Sequence, residues 1–379
     1  MVKNDFMKKH FFYLILITAF LVVLPFCKNK DKSQMFFAGG FTEGKEKGMA
    51  LIELKGDGQM EMIRQFDAGP SPSFFCFSKR HNLIYALDEV MEFKGRKGAA
   101  ITTLKYDPAK GTLEKKGEMT VPYGGACHIS ITRDSGFLLI ANYSSSSVAV
   151  VKLDNDGLPG KVTDSILYVT EPPVVSHPHM ISEDPAGKHV YLADLGLDRV
   201  VIFDLDRNTG KLLPLQDGII NLPDSCGPRH FIFNKDGSMF YLINELGSTI
   251  MAFRVDANGI LHHIATYSTL KESFTGKNSC AEILIGKDEK FLYGSNRGDN
   301  SIVVFRINED GSLKLSGHST CGGNWPRGFV IDPSGEYLIT ANQRSDDVCS
   351  FKINMRTGLP EGPLAKVSMK APAYLEFRK

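Results

Sequence analysis

Histidine and arginine side chains recur at a fixed position in this chain, where together they could bind an anion and move a proton. Each of Pro178-His179, Pro228-Arg229 and Pro326-Arg327 leads into an apolar run, and a glycine follows the His or Arg by eight residues. Guanidinium groups bind carboxylate or phosphate oxygens with pairs of hydrogen bonds, and histidine titrates near neutral pH. The three phrases therefore predict a site for an anionic small molecule.

The same spacing extends the set to two further repeats. His128 precedes Gly136 by eight residues, and Glu282 precedes Lys290 by the same step. These positions predict a ring of one residue per repeat around a common axis: Ser73, His128, His179, Arg229, Glu282, Arg327 and Ala373. A second ring is predicted where the second strand of each repeat ends: Gly40, Glu89, Tyr143, Leu195, Glu245, Arg297 and Gln343. Polar residues lie beside that ring at Asn142, Asp194, Asn244, Asn296 and Asn342. Which of these side chains face the axis stays open, because a shift of one residue exchanges the two faces of a strand.

The elements that must position these residues are short strands. In the repeat that begins at Arg229, alternating apolar residues and Gly, Asp and Asn turns predict four strands: Arg229–Phe233, Met239–Asn244, Thr249–Val255 and His262–Tyr267. Successive first strands are 55, 51, 50, 53 and 45 residues apart. A four-stranded unit that recurs at this interval predicts an all-β protein, a seven-bladed β-propeller.

The two ends of the chain supply the seventh blade. Residues Ala371–Phe377 predict a first strand with no strand after it, whereas Gln34–Gly39, Met49–Leu54 and Met60–Asp67 predict three strands without a first. Joining them closes the ring without an open sheet edge. We therefore expect residues 34–379 to form the propeller, with the last blade built from both termini. The insertions Val90–Ala99, Val169–Ser176 and Leu222–Cys226 are predicted to be rim loops.

Residues 1–33 predict an export signal and a short linker. Lys8 and Lys9 precede an apolar run, Phe11–Val23, which is short for a membrane-spanning helix. Leu24 lies three residues before Cys27, as in a bacterial lipoprotein box, so Cys27 is the predicted lipid attachment site and membrane anchor. Phe26 departs from that pattern, and an uncleaved N-terminal anchor is the alternative. The predicted location is the cell envelope, or the cytoplasm if the segment is not an export signal.

Composition excludes several function classes. The 379 residues are 42% hydrophobic and 23% charged, with a net charge of +1, so no long-range field attracts nucleic acid.

The cysteines and the remaining histidines are predicted to be structural. Cysteines at 76, 127, 226, 280 and 321 lie in or before first strands and predict apolar packing, with at most one or two disulfides. His177-Pro178-His179 has no evident third ligand, so no metal site is predicted. His230 is expected to face the interior of its sheet.

The chain resembles the seven-bladed propeller lactonases, a family that includes 6-phosphogluconolactonases and carboxymuconate cyclases. The resemblance spans about residues 35–379 and is carried by these stretches: Cys127-His128-Ile129-Ser130, Ala193-Asp194-Leu195-Gly196, Gly227-Pro228-Arg229-His230, Asn244-Glu245-Leu246, Ser295-Asn296-Arg297-Gly298 and Pro326-Arg327-Gly328-Phe329. It implies hydrolysis of an anionic sugar lactone without a required cofactor. The catalytic residues that it implies are His179, Arg229, Glu245 and Arg297. The remaining ring residues are then expected to contact the substrate: His128, Glu282, Arg327, Gln343 and Asn244.

Other readings of the same residues stay open. A non-catalytic propeller in the cell envelope could bind a ligand or a protein through the same channel, and a lactonizing cyclase could use the same side chains in the reverse direction. An export signal also conflicts with 6-phosphogluconolactone as the substrate, because that lactone is a cytoplasmic intermediate. The sequence leaves the oligomeric state open.

Overall fold

The computed structural model describes residues 33–42 and 47–378, so most of the predicted export signal, including Cys27, lies outside the described residues. The described residues form strands and no helix, and none of them could therefore span a membrane as an apolar helix. The strands of the first part of the chain are β1 (Gln34–Gly40), β2 (Met49–Leu54), β3 (Met60–Phe66), β4 (Pro72–Ser78), β5 (Leu83–Asp88), β6 (Glu92–Phe93), β7 (Arg96–Lys97), β8 (Ala99–Asp107) and β9 (Thr112–Val121).

The middle of the chain contributes β10 (Ala126–Ile131), β11 (Phe137–Asn142), β12 (Ser147–Leu153), β13 (Pro159–Leu167), β14 (Pro178–Glu183), β15 (His189–Asp194), β16 (Arg199–Asp206), β17 (Lys211–Asn221), β18 (Pro228–Phe233), β19 (Met239–Asn244), β20 (Thr249–Val255) and β21 (Leu261–Ser268). The last part contributes β22 (Ser279–Ile285), β23 (Phe291–Arg297), β24 (Ser301–Ile307), β25 (Leu313–Thr320), β26 (Pro326–Ile331), β27 (Tyr337–Asn342), β28 (Asp347–Ile353), β29 (Pro360–Ser368) and β30 (Pro372–Phe377).

These strands form seven antiparallel four-stranded sheets, which are the blades of the propeller. Blade 1 has the order β4-β5-β8-β9, and blades 2 to 6 each use four consecutive strands, from β10 to β29. Blade 7 has the order β3-β2-β1-β30, so the C-terminal strand is its innermost strand and the N-terminal part of the chain supplies the other three. The predicted closure by both termini is therefore confirmed. The insertion Val90–Ala99 carries a small hairpin, β6-β7.

Burial explains why the second strand of each blade has an apolar run instead of alternation. In blades 1 to 6 the second strands, such as β11 and β19, are buried at every position, because each sheet packs between two neighbouring sheets. Seven hydrophobic clusters result, one between each pair of adjacent blades, including the pair that closes the ring. The fourth strands, such as β21, alternate with exposed positions and face solvent.

Buried tyrosines connect neighbouring blades with hydrogen bonds. The Tyr85 hydroxyl donates to the carbonyl of Gly157 at 2.6 Å, Tyr191 to Gly259 at 2.7 Å, and Tyr241 to Gly311 at 3.0 Å. Each of these tyrosines lies on a second strand and reaches a turn of the next blade. The bond satisfies a hydroxyl that would otherwise be buried at a cost, and it fixes the distance between the two sheets.

The cysteines pack as small apolar side chains. All six cysteines of the described residues are free thiols, and five of them are buried. The prediction that they serve packing is confirmed, and the described residues contain no disulfide.

Candidate active site

A bulge near the start of each first strand decides which side chains reach the channel. In β14 and β18 the ladder skips one residue between Pro178 and Met180 and between Pro228 and His230, so His179 and Arg229 are the bulged residues. A bulge re-aims a side chain away from the ladder. The same irregularity gives the complete set, which we call the upper ring: Ser73, Cys127, His179, Arg229, Ala281, Arg327 and Ala373.

This register corrects the predicted ring at two positions. The turn after the first strand has its left-handed residue at Gly187, Gly237 and Gly335 in blades 3, 4 and 6, but at Ser135 and Glu289 in blades 2 and 5. The spacing of eight residues between ring position and turn must therefore be counted back from Ser135 and Glu289, which gives Cys127 and Ala281. The prediction counted it from Gly136 and Lys290, the residues that follow them. His128 and Glu282 consequently lie one residue deeper than predicted.

Blades 4 and 5 bring a carboxylate and two guanidinium groups together at the channel mouth, the end where the second strands finish. The Nε of Arg229 lies 3.0 Å from Oε2 of Glu245, and Nη2 of Arg297 lies 2.7 Å from the same oxygen. Both arginines are buried, at 3% and 4% exposure, whereas the Glu245 side chain keeps 19%. Three of the four residues predicted to be catalytic thus form one connected group.

Main-chain bonds hold this group in place. The amide of Glu245 donates to the carbonyl of Gly227 at 2.7 Å, and its own carbonyl accepts from the amide of Cys280 at 3.1 Å. Nη1 of Arg229 donates to the carbonyl of Ala281 at 2.7 Å, which ties blade 4 to blade 5. Nη2 of Arg297 also donates to the carbonyl of Cys280 at 2.8 Å.

Each arginine nevertheless keeps a terminal nitrogen for a ligand. Among the described residues, nothing accepts a hydrogen bond from Nη2 of Arg229 or from Nη1 of Arg297, and neither nitrogen is a buried unsatisfied atom. A guanidinium carries five donors in one plane, so the donors that are not used in the group remain available at the mouth. Two rigid, charged donors beside one carboxylate suit a substrate with a polarised oxygen.

The charges of the group shift its pKa values. Burial raises the pKa of Glu245, but the positive charges of Arg297 and Arg229 outweigh burial and leave it below its ordinary value. Burial is also the main reason why the pKa of Arg297 falls to about 9, and the positive charge of Arg229 adds to it. At neutral pH the group therefore consists of one carboxylate and two cations.

His179 lies next to this group as a neutral imidazole. It is 5% exposed, and its ring meets the rings of Tyr143 at 5.6 Å and His230 at 5.2 Å, both edge to face. Burial, followed by the positive charge of Arg229, holds the pKa of His179 well below its usual value. Its Nδ1 is buried without a hydrogen-bond partner. A neutral ring at pH 7 can accept a proton.

Arg327 approaches the mouth from blade 6 and is half-buried. Its guanidinium lies 4.9 Å from the centre of the Phe41 ring, and no described carboxylate pairs with it. Its positive charge contributes to lowering the pKa of His179 and of Glu245. Gln343, also predicted to contact substrate, is half-buried, and its Oε1 has no hydrogen-bond partner.

Asn244 was predicted to contact the substrate, but in the structure its side chain bonds to the third strand of its own blade. It is fully buried, and its Nδ2 donates to Oγ1 of Thr249 on the third strand at 2.9 Å. Asn142 and Asn296 make the equivalent bond to Ser147 and Ser301 in their own blades. A contact that recurs in blades with different mouth residues belongs to the turn between the second and third strands.

His128, Glu282 and His230 form part of a layer beneath the upper ring. We call this layer the lower ring: Phe74, His128, Met180, His230, Glu282, Gly328 and Tyr374. Nδ1 of His230 lies 3.0 Å from Oε1 of Glu282, and the His230 ring is 5.7 Å from that of His128. The expectation that His230 faces the interior of its sheet is therefore wrong, because the bulge at Arg229 turns it toward the axis.

One aromatic residue of the mouth, Trp325, was missed in the sequence, and so was the stacking of the predicted ring residue Tyr143 on His177. Trp325, the single tryptophan, lies between Arg344 at 3.3 Å and Arg297 at 5.4 Å from its ring centre. The ring of His177 stacks on Tyr143 at 4.4 Å, and its Nδ1 is 3.0 Å from the carbonyl of that residue. The signal for Trp325 was its place directly before Pro326-Arg327. No three His, Cys, Asp or Glu residues within residues 33–42 and 47–378 are grouped to hold a metal ion.

Comparisons with known proteins agree with this architecture. The family described as "Lactonase, 7-bladed beta-propeller" matches residues 35–377. A 6-phosphogluconolactonase of Formosa agariphila is 32% identical over 334 residues, which cover 85% of this chain and 93% of that protein. A 6-phosphogluconolactonase of Bacillus subtilis is 25% identical over 350 residues, which cover 90% of this chain and 97% of that protein. A periplasmic gluconolactonase of Pseudomonas aeruginosa has a TM-score of 0.86 at 27% identity, covering 92% of this chain and 99% of that structure. The chain therefore belongs to the seven-bladed β-propeller lactonase family.

Proposed function

We propose that the protein hydrolyses the ester bond of a sugar lactone to give the aldonic acid, with the site at the mouth of the channel. Membership of the lactonase family supports this function. The observation that carries the proposal is the convergence of Arg229 and Arg297 on one oxygen of Glu245. Each arginine is held by this contact and by main-chain carbonyls, and each keeps a terminal nitrogen that pairs with no described residue.

The same geometry suggests how the reaction proceeds. Water attacks the lactone carbonyl, and the negative charge that develops on the carbonyl oxygen is stabilised by the free donors of Arg229 and Arg297. His179, neutral at pH 7, accepts the proton of the attacking water. Glu245 orients the two guanidinium groups and balances their charge before the substrate binds. The bond between the carbonyl carbon and the ring oxygen then breaks, and the ring oxygen takes the second proton of the attacking water. The products are a hydroxyl group and a carboxylate, with one proton left on His179.

Arg327 is proposed to hold an anionic substituent of the substrate. Arg229 and Arg297 already share Glu245, whereas Arg327 has no carboxylate partner among the described residues. The mouth thus has three arginines and two glutamates, Glu245 and Glu89. Oε2 of Glu89 accepts a hydrogen bond from the Ser73 hydroxyl at 2.8 Å. The excess of positive charge favours a phosphate or carboxylate over a neutral sugar.

Replacing Arg327 by methionine is expected to separate charged from neutral lactones. A charge-assisted hydrogen bond contributes about 1.5–3 kcal/mol, so kcat/KM for 6-phosphogluconolactone should fall roughly 10- to 100-fold, and much less for gluconolactone. Arg344→Met is the matched control, since it removes one positive charge from an exposed residue of the same rim. Equal losses on both lactones would show that Arg327 does not select for the anion.

The proposed function is tested by measuring acid release from a panel of sugar lactones with a pH-stat. The purified protein should hydrolyse at least one lactone, with or without a phosphate, far faster than the uncatalysed reaction. If no lactone is hydrolysed but one binds tightly, the protein is a binding propeller. Product analysis distinguishes a lactonizing cyclase, because that enzyme would form the lactone from an open-chain acid.

We further propose that the protein acts in the cell envelope, anchored by lipid at Cys27. The basic and apolar residues before Cys27 support export, and the periplasmic location of the similar gluconolactonase is consistent with it. The substrate would then be a lactone that occurs outside the cytoplasm. Cell fractionation with Cys27→Ala checks this: the variant should lose its membrane association, and a wild-type protein found in the cytosol would contradict export.

A further inference from the structure

The lower ring closes the channel directly beneath the mouth. The rings of Phe74 and Tyr374 stack at 3.8 Å, and the ring of His128 lies 4.6 Å from Phe74. Below this layer is a cavity of about 580 Å³, which is lined by His230 and Glu282 on the channel side and reaches the exposed Arg133 at the opposite face. The lower ring therefore separates two compartments, the mouth and the lower cavity.

His230 and Glu282 are a polar connection through this otherwise aromatic layer. His230 is 4% exposed, and its Nδ1 bonds Oε1 of Glu282, which also accepts from the amide of Ile283 at 3.1 Å. Its other nitrogen, Nε2, is buried without a partner, and so is Nδ1 of His179 in the neighbouring blade. Buried polar atoms of this kind are normally paired or bridged by water.

We propose that His230 and Glu282 relay the proton released by lactone hydrolysis from His179 to the solvent of the lower cavity. The inference rests on the proposed function. Hydrolysis consumes one water, breaks the bond between the carbonyl carbon and the ring oxygen, and yields an alcohol and a carboxylic acid. At neutral pH the acid is ionised, so each turnover releases one proton, and this is the proton that His179 accepted from the attacking water.

The relay moves that proton without consuming any other reactant. His179 gives it to Nε2 of His230, directly or through a bridging water, while the proton on Nδ1 of His230 passes to Oε1 of Glu282. Glu282 then releases a proton to water in the lower cavity. Rotation or exchange restores the tautomer of His230 before the next turnover. Both residues act through His179 and do not touch the substrate.

Electrostatics favour departure in this direction. Arg229, Arg297 and Arg327 surround the mouth and repel a proton there. Burial and the positive charge of Arg229 also hold the pKa of His230 well below its usual value, so His230 passes the proton on to Glu282 and does not hold it. Burial, which the positive charge of Arg229 partly opposes, raises the pKa of Glu282 to about 7, so this carboxyl can both accept and release a proton near neutral pH. The titratable and charged groups that face the pair are Arg229, Glu245, His128, His179, Tyr374, Arg297 and Arg327.

The relay is tested with Glu282→Gln, which keeps the size of the side chain and removes its titration. We expect kcat to fall at least about tenfold with little change in KM, and to recover as imidazole is added as an external proton carrier. Wild-type kcat should not depend on imidazole. Wild-type kcat should also rise with pH through about 7, because only ionised Glu282 accepts a proton, and the variant should lack that rise.

Tyr374→Phe is the matched control, since it changes the same layer without removing a relay group, and its kcat should not depend on imidazole. If Glu282→Gln does not fold, His230→Gln tests the same relay. An unchanged kcat, or a loss that imidazole does not restore, overturns the proposal. If no lactone is hydrolysed, the proposed function fails first. Infrared difference spectra of wild type and Glu282→Gln would then still show whether Glu282 titrates near neutral pH, and a fixed protonation state would overturn the relay.

Discussion

Replacing Glu245 by glutamine is expected to lower kcat/KM by about 10²- to 10⁴-fold, the largest effect of any single substitution in the site. The glutamate oxygen Oε2 accepts from Arg229 and Arg297 together. A glutamine oxygen in the place of Oε2 carries no full negative charge, so it accepts both bonds more weakly and leaves the two buried guanidinium charges uncompensated. The two arginines would then be left partly unpaired and displaced from the positions that stabilise the oxyanion.

The loss must be separated from unfolding, because breaking a buried ion pair can cost about 3–5 kcal/mol of stability. Thermal unfolding of Glu245→Gln should therefore accompany the kinetics. Glu183→Gln is the matched control: Glu183 is buried and pairs with Arg207, but at the end of the propeller opposite the mouth. We expect it to lose stability and to keep its kcat/KM. Full turnover by a folded Glu245→Gln protein would refute the proposed site.

Removing the last strand is expected to prevent folding altogether. A chain that ends at Lys370 lacks β30, the innermost strand of blade 7, which pairs with β1 over five residue pairs. It also loses the buried side chains of Leu375 and Phe377, which are 1% and 2% exposed. Each large buried side chain contributes about 2–5 kcal/mol, and domains are stable by only about 5–15 kcal/mol.

Circular dichroism and solubility of the shortened chain measure this effect. The control is a chain that ends at Phe377, which keeps β30 and, among the described residues, loses the bond of Arg378 to Asn82 and its contact with the Tyr106 ring. A synthetic peptide of residues 371–378 should restore folding by adding the missing strand to the exposed edge of β1. A shortened chain with an unchanged unfolding temperature would show that the closure does not stabilise the ring.

Much of the fold could be read from local patterns. The strands predicted in blade 4 differ from the observed ones by at most one residue at each end, and β19 and β20 have the predicted bounds. This agreement arises because a blade is made of consecutive hairpins, whose turns are encoded by neighbouring Gly, Asp and Asn residues. The predicted register was also right wherever a glycine occupies the left-handed turn position, as in Gly187 and Gly237.

The register failed where another residue takes that position. Ser135 and Glu289 have φ values of 58°, and neither serine nor glutamate is a residue type that predicts a left-handed conformation. Counting from the following residue moved His128 and Glu282 into the wrong layer. His230 was misplaced for a related reason: alternation along a strand predicts its face, but the bulge at Arg229 interrupts alternation, and no local pattern marks a bulge.

The sequence by itself determined the number of blades, the closure by both termini and the residue types that surround the channel, because these follow from repeats and from hairpins between neighbouring strands. Only the tertiary structure decided that Arg229 and Arg297 share one oxygen of Glu245, that Arg327 has no described carboxylate partner, and that His230 lies between His179 and Glu282. These relations join side chains from different blades. Their distances depend on the packing of whole sheets and on bulges that re-aim single residues, and neither is encoded in the residues next to them.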